Sequence, residues 1–171
     1  MATLTPAMPR IVNMGDAETK RIRLADNEAW LAGTFLRLNT SGLLVECASG
    51  ADAAGGGLTH YALKVQTDPD NSTTFANVVK IANDTIFEGN LHHDTPASAL
   101  AAASVIGQQY GVDIASSIAG LDMEVKNDAN AAFEVTEIGS DYAEMENSAA
   151  DLYGRVRFKV LQTVLEAAPA A

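Results

Sequence analysis

VVKIANDTIFEGNLHHD, residues Val78–Asp94, is the stretch whose reading decides the fold class. Val78, Val79 and Ile81 form a β-prone run. Ala82-Asn83-Asp84 interrupts it with turn-forming residues. Thr85, Ile86 and Phe87 open a second run, which stops at Gly89-Asn90. Two such runs around a short Asn/Asp turn predict a β-hairpin. The centre of the chain is then antiparallel β, and the flanking segments must supply the strands that cover it.

Outward from this stretch, alternation of apolar and polar residues predicts further strands. Lys20–Leu24 places Ile22 and Leu24 inward. Gly33–Leu38 follows, and Asn39–Gly42 is a turn leading to Leu43, Val45 and Cys47. His60–Val65 alternates with Tyr61, Leu63 and Val65 on one face. Leu121–Val125 and Phe133–Ile138 flank the turn Lys126–Asn130. The final strand has the clearest period of two: Val156, Phe158 and Val160 face one way, and Arg155, Arg157 and Lys159 the other. The expectation is an all-β antiparallel barrel or sandwich of about nine or ten strands with turn signals at barrel-like spacing. No long internal repeat is visible. One short helix is expected after Asp94-Thr95-Pro96, where an N-cap and a first-turn proline precede an alanine run. Residues 1–17, with Pro6, Pro9 and Gly15 and no sustained period, read as an extended N-terminal arm, dispensable for folding. Residues 18–165 form a single β domain, and residues 166–171 a loose C-terminal tail.

A chain of 171 residues with 47% hydrophobic content can bury a core unaided. Its net charge of −11 argues against nucleic-acid partners held through phosphates. No apolar run is long enough for a membrane helix, and no secretory signal is expected. Cys47 is the single cysteine, so no intrachain disulfide is possible, and a small buried residue is its simplest reading.

Catalysis and metal binding need convergent groups. His92-His93 beside Asp94 is the best metal or acid/base candidate, yet adjacent strand residues point to opposite faces, and solvated loop histidines are the expectation. Ala48–Gly57, rich in glycine, lacks the lysine of a phosphate loop and reads as a flexible loop. Asp68, Asp70 and Ser72 have the spacing that opens a calcium loop but not its later glycine and glutamate. No catalytic, cofactor-binding or metal-binding residue is therefore assigned, and the chain is read as a non-enzyme.

The runs LADNEAWLAGTFLRLNTSGLLVECAS, HYALKVQ, VVKIANDTIFEGN, IGQQYGVD, AAFEVTEI and RVRFKVL resemble small structural proteins of tailed bacteriophages, the capsid decoration or cement proteins. The likeness rests on Gly33-Thr34-Phe35-Leu36, on Phe87-Glu88-Gly89, on Gly107 to Tyr110 and on Arg155 to Val160, and covers roughly residues 20–165. It implies a β core, often trimeric, that binds the major capsid protein on the outer face of an icosahedral head after assembly in the host cytoplasm. Arg10, Ile11, Val12, Arg155, Arg157 and Lys159 are the candidate capsid contacts, the three strand residues alternatively pairing with acids across the sheet. A tail or head–tail connector component, and a carbohydrate-binding β-sandwich, are the competing readings.

Overall fold

The computed structural model describes residues 8–67, 74–95, 98–115, 118–138 and 153–166. The chain is mostly β, with thirteen strands and two short helices among these residues. The strands are β1 (Arg10–Asn13), β2 (Glu18–Arg23), β3 (Ala29–Trp30), β4 (Phe35–Leu38), β5 (Leu44–Glu46), β6 (His60–Ala62), β7 (Gln66–Thr67), β8 (Phe75–Lys80), β9 (Ile86–His92), β10 (Gln109–Ala115), β11 (Ile118–Lys126), β12 (Phe133–Ile138) and β13 (Arg155–Val160). The helices are α1 (Gly50–Gly56) and α2 (Gln162–Leu165).

The strands form two closed rings. In the first, the order is β2-β8-β6-β4-β5, and a parallel bridge from Leu24 to Leu44 joins the two ends. In the second, the order is β9-β13-β12-β10-β11, closed by the parallel pairing of Leu91 with Leu121. Taken in chain order, the two rings have the same connectivity, with the parallel contact between the first and third strands in each.

The registers agree as well. Starting at Leu24, the pairing runs through Leu44, Leu38, Leu36, His60, Ala62, Val78 and Lys20 back to Leu24. Starting at Leu91, the same walk runs through Leu121, Val112, Tyr110, Phe133, Val135, Phe158 and Phe87 back to Leu91. No residual shift accumulates. Off-ladder hydrogen bonds repeat too. Gly33 donates to Ala62 at 2.8 Å, as Gly107 does to Val135 at 2.8 Å. Ile81 donates to Thr59 and Leu161 to Ala132, both at 2.9 Å. Gly33 and Gly107 share positive φ, +94° and +75°, a backbone that side chains disfavour at the entry to β4 and β10. The chain is a tandem pair of five-stranded barrels.

Each barrel buries its inward row. Leu24, Leu36, Leu44, Ala62, Ala76 and Val78 fill the first, with Trp30 over them. Their counterparts Leu91, Tyr110, Leu121, Val135, Val156 and Phe158 fill the second. The second core also takes in residues from outside its ring. Phe35, Tyr61 and Val79 lie on the outer face of the first barrel, opposite in strand parity to its own core, yet they are buried in the second. Phe35 meets Phe133 at 4.9 Å, Phe87 at 5.3 Å and Phe158 at 6.2 Å between ring centroids. Tyr61 meets Phe87 at 5.3 Å. The first barrel thus stoppers one end of the second with an aromatic row, a geometry worth more than its buried area alone.

Several expectations are corrected. Val78–Asp94 is not a hairpin: β8 pairs with β2 and β6, whereas β9 pairs with β1, β13 and β11. The Asn/Asp turn is the junction between barrels. Thr85 ties it down, its Oγ1 donating to the Met14 carbonyl at 3.0 Å while Asp84 accepts from the Asp16 amide at 2.9 Å. The described part of the expected N-terminal arm is not free. β1 pairs with β9, Ile11 packs on the second core, and the Pro9 carbonyl accepts the Tyr61 hydroxyl at 2.6 Å. The expected domain over 18–165 holds two barrels. A helix forms in the glycine-rich stretch, where the Ser49 side chain caps the Asp52 amide, while the described part of the alanine run, from Ser98 on, holds a 3-10 turn at Ala103–Val105 and no α-helix. The strand expected over His60–Val65 ends at Ala62, leaving Leu63 and Val65 exposed. Residues 1–7, Asp68, Asp70, Ser72, residues 139–152 and residues 167–171 of the expected tail lie outside the described residues.

Candidate functional site

The candidate contact residues come together around an acid that the sequence did not single out as a centre. Glu88 sits on β9, on the outer face of the second barrel, and its side chain is 1% exposed. Arg10 reaches it from β1 at 3.1 Å and Arg155 from β13 at 2.6 Å. The Arg157 Nε lies 4.0 Å from the same carboxylate, and its Nη1 donates to Glu137 at 3.2 Å. Lys159 pairs with Glu134 at 3.3 Å. Alternation of β13 places these basic residues on one face, and the β12 and β9 registers bring Glu134, Glu137 and Glu88 opposite them.

The final strand therefore behaves as its period of two predicts, with Val156, Phe158 and Val160 inward. Its basic row is engaged by acids of the same sheet. Arg10 joins that cluster, Ile11 points to the core, and Val12 stands exposed beside the equally exposed Met14. Glu88 is the acid shared by Arg10 of β1 and by Arg155 and Arg157 of β13, so it pins the N-terminal strand to the barrel.

His60 and His92 are not solvated loop residues, whereas His93 lies just beyond the strand end and is part-exposed. His92 is buried at the end of β9 and its Nδ1 lies 3.0 Å from Asp113 Oδ2. Burial outweighs that carboxylate and holds the imidazole below its ordinary pKa, so Nδ1–H donates and the ring is neutral. Its Nε2 faces the Cα of Gly120, where a Cβ would come within 2.4 Å. His60 is buried with its Nδ1 2.8 Å from Thr59 Oγ1, and burial pushes its pKa down to about 4. His93 lies on the other side of the strand end, 3.7 Å from Glu124. Among the described residues, no three metal-ligating side chains converge. Cys47 is buried and its thiol is pushed up to about 12, chiefly by burial, which suppresses the reactive thiolate.

A second feature lies at the mouth of the first barrel. A depression of about 320 Å³ is lined by Trp30, Leu31, Thr34, Glu46, Val65 and, from the second barrel, Ile114. Trp30 is 4% exposed and its indole N–H has no hydrogen-bond partner among the described residues. Glu46 projects here, and its amide donates to Glu28 Oε2 at 3.1 Å. Burial raises the pKa of both carboxyls, and each acid adds to the negative potential at the mouth. The sequence offered a weak sign of this site: one tryptophan followed by Leu31, short of a strand's length. Nothing in spacing linked it to Glu46 or Val65.

Comparison of the chain with protein-family models, with curated proteins and with solved structures finds no match.

Proposed function

We propose that the chain is a structural virion protein, a capsid decoration protein that binds the major capsid protein on the outer face of an icosahedral phage head and stiffens the lattice. The single observation that supports this over a catalytic role is where the buried ionic groups are used. Glu88, Arg10, Arg155 and Arg157 tie β1, β9 and β13 together on the barrel wall. A protein that must resist mechanical load gains from a wall stitched in this way, because separating the strands uncovers a buried charge. The sequence likeness to decoration proteins adds the particular setting, and with it the trimer and the virion surface.

Arg155, Arg157 and Lys159 are engaged by acids of their own sheet, which supports the β1 edge as the proposed capsid contact, through the candidate Val12 together with its exposed neighbour Met14. The test is co-sedimentation with decoration-free phage heads, comparing the intact protein with Val12→Asp/Met14→Asp. Loss of binding by the double variant at unchanged melting temperature supports the reading. Failure of the intact protein to bind heads of any tailed phage tested, with binding to isolated tails or to a glycan array instead, replaces it.

A further inference from the structure

At the end of the first barrel, Glu46 pairs with Leu36 on β4 and shares the strand parity of the inward Leu44. A half-buried carboxylate thus stands at the end of an otherwise apolar inward row.

The surroundings do not neutralise it. Among the described residues the Glu46 carboxylate has no ion pair, and Glu28 lies beside it. Arg37, on the neighbouring strand, is paired with Asp52 at 3.5 Å. The indole N–H of Trp30, on the wall of the same depression, is buried without an acceptor. Around these two polar groups the wall is apolar: Leu31 and Val65 are exposed to solvent, and Ile114 closes the far side. The depression offers one negative charge and an aliphatic lining.

We propose that the mouth of the first barrel receives a lysine or arginine side chain carried on an extended segment of a partner protein. The aliphatic stem lies along Trp30, Val65 and Ile114, and the cation meets Glu46. Charge complementarity selects this occupant. An acidic, neutral or purely aliphatic segment leaves Glu46 without a counter-ion. A second copy of this chain, at a net charge of −11, is the less complementary partner. The inference does not depend on the partner being a capsid shell.

Trp30 is the single tryptophan of the chain, so its fluorescence reports on this mouth alone. The intact protein is titrated with acetyl-Val-Lys-Val-amide, with the norleucine analogue of equal stem length, and with the glutamate analogue. The lysine peptide is expected to shift the emission saturably at millimolar concentration, about tenfold more tightly than norleucine, with the glutamate peptide weakest. Glu46→Gln is expected to remove the lysine advantage and leave norleucine binding unchanged, and added salt should do the same. Glu46→Met should likewise remove the lysine advantage. Melting curves confirm that each variant is folded. Equal binding of all three peptides, a lysine response indifferent to Glu46→Gln, no saturable response, or a shift that follows protein concentration through self-association would each overturn the proposal.

Discussion

The two barrels share a topology, a register and a glycine at the same entry, yet they have exchanged polarity on their outer faces. Phe35, Tyr61 and Val79 occupy the positions that Gln109, Glu134 and Lys159 hold in the second barrel. In the first barrel that row is buried against its neighbour; in the second it faces solvent and is laced by the Lys159–Glu134 pair. The inward rows remain apolar in both. Closing a five-stranded ring constrains only the inside, because strand tilt and stagger leave room there for a set volume of side chains. The outside is free to follow whatever lies next to it, so the outer row records the tandem packing.

The largest expected effect comes from breaking the aromatic stopper. Phe158→Ala removes a ring that touches Phe87, Phe133 and, across the junction, Phe35. A loss of about 3–5 kcal/mol is expected in denaturant unfolding. Val78→Ala, at the same place in the first barrel, should cost about 2 kcal/mol, since only two methyl groups leave a core without that stopper. A cycle combining Phe35→Ala with Phe158→Ala should be clearly non-additive. Additive losses would mean that the barrels unfold as separate units.

Glu88→Gln follows. It keeps the shape and removes the charge beneath Arg10, Arg155 and Arg157. A loss of about 3 kcal/mol is expected, reduced from the fully buried case because Arg10 reaches the solvent. The corresponding residue of the first barrel is Arg21, exposed and lying over Phe75 at 5.0 Å, and Arg21→Gln should cost less than 1 kcal/mol. Equal losses at both positions would remove the case for Glu88 as the pin of β1.

How much of this was legible follows from the same contrast. Inward rows repeat every second residue, so Val156, Phe158 and Val160 could be placed from sequence, and Leu24 and Ile22 likewise. The duplication could not, because the loops between matching strands differ in length and only a few matching positions keep their residue, among them Leu24 with Leu91, Leu44 with Leu121 and Gly33 with Gly107. The hairpin expected at Val78–Asp94 failed for a physical reason. A turn of Asn83-Asp84 reverses or redirects a chain equally well, and what decided between them was a distant partner, Val156–Phe158 for one run and Glu18–Lys20 for the other. Glu88 was visible as an acid in a strand; its burial was not, because three cations from other segments make that burial tolerable. The mouth of the first barrel depends on Trp30, Glu46 and Val65, which no local period links.

The third expectation concerns pH. His60 holds the place of Phe133 and is buried, with its pKa down to about 4. In the unfolded chain a histidine takes up its proton near the ordinary value of about 6.5. Between these limits the unfolded state binds more protons than the folded one, so stability is full above about 6.5 and falls as the pH drops toward 4. At about 1.4 kcal/mol per pH unit the loss from this group is on the order of 3 kcal/mol. His60→Gln should flatten that part of the stability profile measured by urea unfolding at a series of pH values. An unchanged slope would place the acid sensitivity elsewhere, with His92 the next group to test, since its shift has the same direction.

The smallest effect is expected at Lys159. Its counterpart Val79 is buried between the barrels, but Lys159 stands on the open face of the second, 3.3 Å from Glu134, with both side chains about one-third exposed. Such a pair gains little over water, since the Coulomb attraction is screened and the long side chain loses rotamer freedom in making it. Lys159→Ser should therefore shift stability by no more than about 0.5 kcal/mol, and the shift should vanish in high salt. The outcome bears directly on the exchange of polarity between the barrels. If Lys159→Ser destabilised the protein as strongly as a core truncation, that face would be covered in solution. The second barrel would then use its outer row as the first one does, against a second copy or another protein. Sedimentation of the wild type over a range of concentrations separates those two cases, since only self-association changes with protein concentration.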